Sequence, residues 1–250
     1  MNEVLRDDKI LIVTTDRNDG YFSNMKLSNN MAYRTAGDED MILNIKQLCT
    51  ENNIKFSDVY IPKQTHSDII KEVTRKKDDL SNCDALYTKE KDTCLGVLTA
   101  DCLPILVYFP DKEIVAAAHA GWVGSIKLIA YKLITQIVIK EQVNPSLAEV
   151  YLCPSICQEC YEVGREVYER AIANEFIDSE SCFINLDNCK YLFDNRLFNI
   201  LQLKASGIKE ENISIVDRCT FLDDNYFSHR QDKTKGRQLS LIGMRGHNNG

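Results

Sequence analysis

Between residues 84 and 142 the chain passes through four short β-type segments and then one long, almost unbroken apolar stretch. Few architectures can absorb that pairing. The four segments (84–87, 93–99, 104–109 and 113–118) are rich in apolar and β-branched residues, and Pro110-Asp111-Lys112 supplies a turn between the last two. The apolar stretch, 124 to about 142, places Ile126, Ile129, Leu133 and Ile137 at helical spacing, with Ser125 positioned to cap it. A helix this apolar around its circumference must be covered on most sides. Strands leading into a buried helix predict an α/β (α+β) chain with its helices laid on sheets.

The remaining patterning agrees. Residues 9–15 read as a strand, and 16–37, full of Asn, Ser and Gly, as a long loop. From Asp38 a helix is predicted, because Met41, Ile42, Ile45, Leu48 and Cys49 share one face behind an acidic first turn. Further strands are predicted at 58–61, 68–73, 148–153, 213–216 and 238–242, and helices at 163–176 and 191–205, with a frayed end at 246–250. No repeat, linker or low-complexity run interrupts residues 1–250, which predicts a single domain.

The formal net charge of -7 argues against a nucleic-acid partner, since phosphate neutralisation needs clustered Lys and Arg. The one basic run, Arg75-Lys76-Lys77, is cancelled at once by Asp78-Asp79. The first residues are polar and acidic, with no apolar signal core, and no apolar run approaches the roughly 18 residues that span a bilayer. The expectation is a cytoplasmic monomer whose ten cysteines are reduced thiols, most of them small core residues.

Only four histidines occur. His66 lies in the connection PKQTHSD between two predicted strands, and His119 at the end of EIVAAAHA, just before Gly121-Trp122. Cys102 falls between them, closing GVLTADC. All three stand at strand ends, where side chains can converge over one rim of a sheet. A thiolate and two imidazoles form a zinc-type donor set that leaves a fourth position for water or substrate. Zinc would hold Cys102 deprotonated and acidify a bound water. Residue types alone also admit a plainer account: an exposed loop histidine, a core thiol, and a histidine hydrogen-bonded beside a helix start.

The strings KQTHSD, ADCLPILV, AAAHAGWVG and CYEVG, followed by FSHRQD and KGRQLSLI, resemble the laccase-domain (YfiH-like) family, also called polyphenol oxidase or purine nucleoside phosphorylase. The match runs from about Asp58 to Ile242; before it, only AGDED resembles the family. The resemblance implies that His66, Cys102 and His119 ligate one zinc ion, with adventitious copper possible in the same place. Lys63, Gln64, Asp84, Arg230 and Arg237 also fall in matching segments, as candidate contacts to substrate or phosphate, and Cys102, His119 and Asp84 are the candidate catalytic residues. The family has Arg where this chain has Val123 and Gln231, so two positive charges are missing. The implied fold is a layered α/β/β/α arrangement of mixed sheets. The implied substrates are a purine nucleoside (adenosine, inosine or methylthioadenosine) and phosphate, with adenosine deamination as a second activity. Asp84 would then face a cation-like ribosyl transition state.

Four other readings compete. Multicopper laccase chemistry needs more imidazoles than four histidines provide. A cysteine hydrolase or deamidase would use Cys102 as nucleophile and His119 as base. Cys153, Cys157 and Cys160 form a C-x3-C-x2-C run that could hold an iron–sulfur cluster. A structural zinc site would need a fourth protein ligand; Asp101 adjoins Cys102 but fits better as a residue that orients a ligand. Trp122 either walls the site or packs beneath a helix, and Glu162 is either a helix-start carboxylate or a substrate contact.

Overall fold

The computed structural model describes residues 3–6, 9–17, 38–75, 78–233 and 236–246. Most of the long loop expected at 16–37, and the frayed end beyond Gly246, lie outside the described residues.

Two mixed sheets stack face to face. The first has five strands in the order Glu3–Arg6, Ile10–Thr14, Gln238–Met244, Cys94–Thr99 and Val59–Tyr60. The second has six, ordered Ile213–Ile215, Glu149–Leu152, Leu103–Phe109, Ile114–Ala120, Ala85–Thr88 and Ile70–Glu72. In each sheet the short strand drawn from residues 59–72 pairs parallel to its neighbour.

Period-two alternation explains the layering. Leu106 and Tyr108 face the other sheet and pack there with Ile10, Ile12, Leu95, Val97 and Ile242. Their neighbours Ile105, Val107 and Phe109 point the opposite way, onto Ile129, Leu133 and Ile137 of the helix Ile129–Glu141 and Leu203 of the helix Asn195–Ala205. On the outer face of the first sheet, Leu11, Val13, Leu239 and Leu241 meet Ile45, Leu48 and Cys49 of the helix Asp38–Asn52. The result is the expected α/β/β/α order. Each fully buried Leu or Ile contributes roughly 1.5–3 kcal/mol, and all ten cysteines are free thiols, so apolar layers and not cross-links hold the fold. Among the described residues no helix is long and apolar enough to cross a membrane.

Four expectations need correction. The long helix at 124–142 is two helices, Trp122–Ile126 and Ile129–Glu141, divided at Leu128, whose φ is 63°. Ser125 is not a cap; it is fully buried, its hydroxyl accepting from Asn199 Nδ2 at 2.8 Å and its carbonyl from Gln202 Nε2 at 3.0 Å. Those two contacts to the neighbouring helix hold the carbonyl at the break, and an apolar pattern carries no trace of them.

The helix expected at 163–176 is the strand Glu162–Gly164 followed by the helix Arg165–Ile172. The helix expected at 191–205 likewise begins as a strand, Lys190–Phe193. Asp194 then caps the helix Asn195–Ala205 by accepting from Leu197 N at 2.7 Å. With Phe183–Leu186 these strands form a third, small sheet held by stacked aromatics, Phe183 on Phe193 at 4.5 Å and Tyr168 on Tyr191 at 4.2 Å.

Candidate metal centre

Two of the three donors lie on spans that cross from one sheet to the other. Strand Val59–Tyr60 belongs to the first sheet and Ile70–Glu72 to the second, so the connection carrying His66 bridges them. Strands Cys94–Thr99 and Leu103–Phe109 are divided in the same way, and Asp101, at φ 92°, makes the turn that delivers Cys102. His119 is the penultimate residue of Ile114–Ala120, which pairs antiparallel with Leu103–Phe109 in a register that sets Leu103 opposite Ala120. That register brings the Cys102 end of one strand beside the His119 end of its neighbour.

One ligand atom from each of His66, Cys102 and His119 lies within 4.8 Å of the others, with His66 Nε2 4.0 Å from the Cys102 sulfur. The two rings meet edge to face at 4.8 Å between centroids. A tetrahedral zinc ion holds such donors about 3.5 Å apart, so small side-chain movements close the site. The donor chemistry fits as well. His119 Nδ1 donates to Asp84 Oδ1 at 2.8 Å, a bond that keeps the ring proton on Nδ1 and reserves Nε2 as a lone-pair donor.

Asp84 organises the centre from below. It is fully buried, and besides the His119 bond its two oxygens accept from the backbone N–H groups of Thr65, His66 and Ser67 and from the Ser67 hydroxyl. One carboxylate therefore fixes the turn presenting His66 (φ 58°) and the ring of His119 together. Burial alone would raise its pKa, but the bonds from His119 and Ser67 outweigh this and hold it well below the usual carboxylate range. The sequence reading put Asp84 against a ribosyl cation; both of its oxygens are instead committed to the protein.

Burial likewise pushes the Cys102 thiol up, yet the adjacent His119 and His66 rings bring it down to about 6. For His119 burial acts downward, while the Cys102 sulfur and Asp84 raise it to about 9. Between those values the metal-free centre is a thiolate beside an imidazolium. In chelator-stripped protein, Cys102 should accordingly alkylate with iodoacetamide along a curve whose midpoint lies near pH 6, read by mass spectrometry of the peptide. A midpoint in the ordinary thiol range, about 8.5, would show that the rings do not stabilise the thiolate.

The expected substrate contacts separate. Gln64 is committed to the protein: its amide donates to Leu98 O and accepts from Leu98 N, both at 2.8 Å, clamping the His66 turn to the first sheet. Lys63 is exposed, and its backbone N–H donates to Leu80 O. Arg230 stands nearer the centre, its guanidinium 5.2 Å above the Tyr161 ring and donating to Glu162 O. Arg237 is within electrostatic reach of both Cys102 and Asp101.

The Asp101 carboxylate accepts from Thr220 Oγ1 at 2.9 Å and from Arg230 N at 2.7 Å, contacts that fix the turn before Cys102 and not a donor atom itself. Trp122 packs with the third-sheet cluster under Arg170. Glu162 is neither a helix start nor a contact to the centre; it sits in a strand, exposed and paired with Lys190.

Sequence reasoning missed Gly121, Ser67 and Tyr161. A Cβ on Gly121 would lie 2.8 Å from His66 Cδ2 and 3.1 Å from the Cys102 sulfur, so the centre needs a residue without a side chain there. Its place immediately after HA in HAGW was the available signal. Tyr161 is near enough for the Cys102 sulfur to act on its hydroxyl, a proximity that no local motif announces.

Stacked mixed sheets flanked by helices, with a His–Cys–His donor set at their rim, define a layered α/β protein with a candidate three-ligand metal centre. The chain belongs to the family described as multi-copper polyphenol oxidoreductase laccase, whose profile matches residues 11–245. It is 32% identical over 219 residues to purine nucleoside phosphorylase YlmD of Bacillus subtilis (strain 168), covering 83% of this chain and 78% of that protein. It is also 32% identical over 194 residues to adenosine deaminase RL5 of an unknown prokaryotic organism, covering 74% of each chain. Among solved structures, the hypothetical protein YfiH of Bacillus licheniformis superposes with a TM-score of 0.88 at 27% identity, covering 94% of this chain and 93% of that one.

Proposed function

We propose that this chain is a zinc-dependent purine nucleoside phosphorylase acting on adenosine, inosine and methylthioadenosine, with adenosine deaminase activity. The observation that carries the reading is the convergence of His66, Cys102 and His119, with Asp84 fixing the tautomer of His119. Relatives that bear the names of both activities support the choice of substrate.

Bound there, zinc supplies Lewis-acid activation of water and a place for a phosphate oxygen. The protein supplies the rest. Asp84 keeps the ring proton on His119 Nδ1 and fixes the turn bearing His66. Arg237 and Arg230 bring positive charge beside Cys102, suited to phosphate, and partly compensate for the uncharged Val123 and Gln231. Tyr161 offers an aromatic face and a hydroxyl at the same rim, with burial pushing the hydroxyl still further from ionising. His66, the exposed donor, leaves the centre open to small molecules.

The test is adenosine incubated with zinc-loaded protein, with and without phosphate, and the products resolved chromatographically. Adenine should form only with phosphate, inosine in either case, and a chelator should suppress both. Unchanged adenosine in protein with a full complement of zinc would overturn the proposal. The depressed Cys102 thiol favours one other reading, a cysteine hydrolase. Turnover that survives chelation but is lost on alkylation would select it.

A further inference from the structure

A second cluster of sulfur atoms lies outside the His66–Cys102–His119 set. The C-x3-C-x2-C run does not act as a unit: Cys153 is buried between the two large sheets, and its place beside Cys157 and Cys160 is taken by Cys219. The three sulfurs lie within 4.8 Å of one another, all half-buried and none in a disulfide. Cys157 and Cys160 flank a single tight turn in which Cys160 N donates to Cys157 O at 3.2 Å, the C-x2-C spacing common in zinc sites.

Cys219 arrives on a separate segment. That segment is tied to the first by Thr220 N donating to Ser155 O at 3.1 Å and Ser155 N to Arg218 O at 3.3 Å. Its sulfur accepts from Cys157 N at 3.2 Å, while Leu222 N and Asp223 N close a turn onto the Cys219 carbonyl at 3.2 and 3.0 Å. A main-chain donor aimed from one sulfur-bearing segment at the sulfur of the other favours a metal thiolate there, as hydrogen bonds around a site do generally. Packing alone gives no reason for this. The thiols that serve as core (Cys49, Cys83, Cys94 and Cys182) are buried.

We propose that Cys157, Cys160 and Cys219 form a second site, which binds a thiophilic cation of the zinc class. Three thiolates select soft ions, and tetrahedral Zn–S bonds of about 2.3 Å place sulfurs roughly 3.8 Å apart. The residues flanking these cysteines hold Asp101: Ile156 N donates to its carbonyl at 3.0 Å and Thr220 Oγ1 to its carboxylate at 2.9 Å. A second ion would clamp the segments 155–160 and 218–222 together and so brace the turn that delivers Cys102.

The experiment is zinc content of the full chain, purified under reducing, oxygen-free conditions and dialysed against zinc, compared with Cys219→Ser, Cys160→Ser and His66→Ala. Each variant should bind one ion fewer than the parent. In cobalt-substituted protein, both cysteine variants should lose most of the near-ultraviolet sulfur-to-metal absorption, and His66→Ala should keep it. The two centres therefore fail separately. Cysteine variants that retain the parent's zinc content and cobalt spectrum would overturn the proposal, as would a Cys157–Cys219 disulfide in the oxygen-free parent. Cys160→Ser guards against misfolding of the Cys219 variant.

Discussion

His119→Ala is expected to abolish zinc binding at the His66–Cys102 centre and to slow adenosine turnover by more than about 100-fold. The bound follows from the geometry: changing a group that merely orients a metal ligand already costs about 10–100-fold in affinity or activity, and His119 is itself a donor held by one such group. Zinc content, turnover and thermal unfolding should be measured together, because removing a partner of buried Asp84 also destabilises the fold. A folded variant that keeps both its ion and its rate would remove His119 from the site.

Asp84→Asn should be nearly as damaging, for a different reason. Asp84 Oδ1 accepts from His66 N and His119 Nδ1, and Oδ2 from Thr65 N and Ser67 N. An asparagine has one oxygen, so whichever way its amide turns, two N–H donors face an NH₂ group. Each such donor left unsatisfied in a buried site costs about 1–3 kcal/mol, hence about 2–6 kcal/mol in all. Zinc affinity should fall about 10–100-fold alongside.

The folded-state pKa of Asp84 lies below its unfolded value, so its contribution to stability is fully present above the unfolded value, about 3.9. It is lost as pH falls through the folded one. The variant's deficit should therefore be complete at neutral pH and shrink in strong acid. Wild-type melting and wild-type zinc affinity in Asp84→Asn would refute the role drawn for the carboxylate.

What could be read in advance was what local pattern carries. Apolar and β-branched runs announced the strands of both large sheets except Glu3–Arg6, whose residues were read only as a polar start, and the donors at 66, 102 and 119 stood out because histidine is scarce and all three fall at strand ends. Partners distant in the chain were hidden. Nothing near Gln64 says that its amide caps the backbone of Leu98; its place in a segment that matches the family made it a candidate substrate contact. Nothing near Cys157 names Cys219, so adjacency favoured Cys153 instead. The small third sheet was missed because Tyr191 and Phe193 have apolar spacing that suits either a strand or the start of the helix capped at Asp194.

The two crossings at the rim have a mechanical consequence. His66 and Cys102 hang on links between the stacked layers, while His119 belongs to one layer outright. An ion shared by all three acts as a rivet: the layers cannot shear past each other at that end without stretching its bonds. Stiffness of the sandwich edge and readiness for chemistry are then a single property, gained when the ion arrives and given up when it leaves.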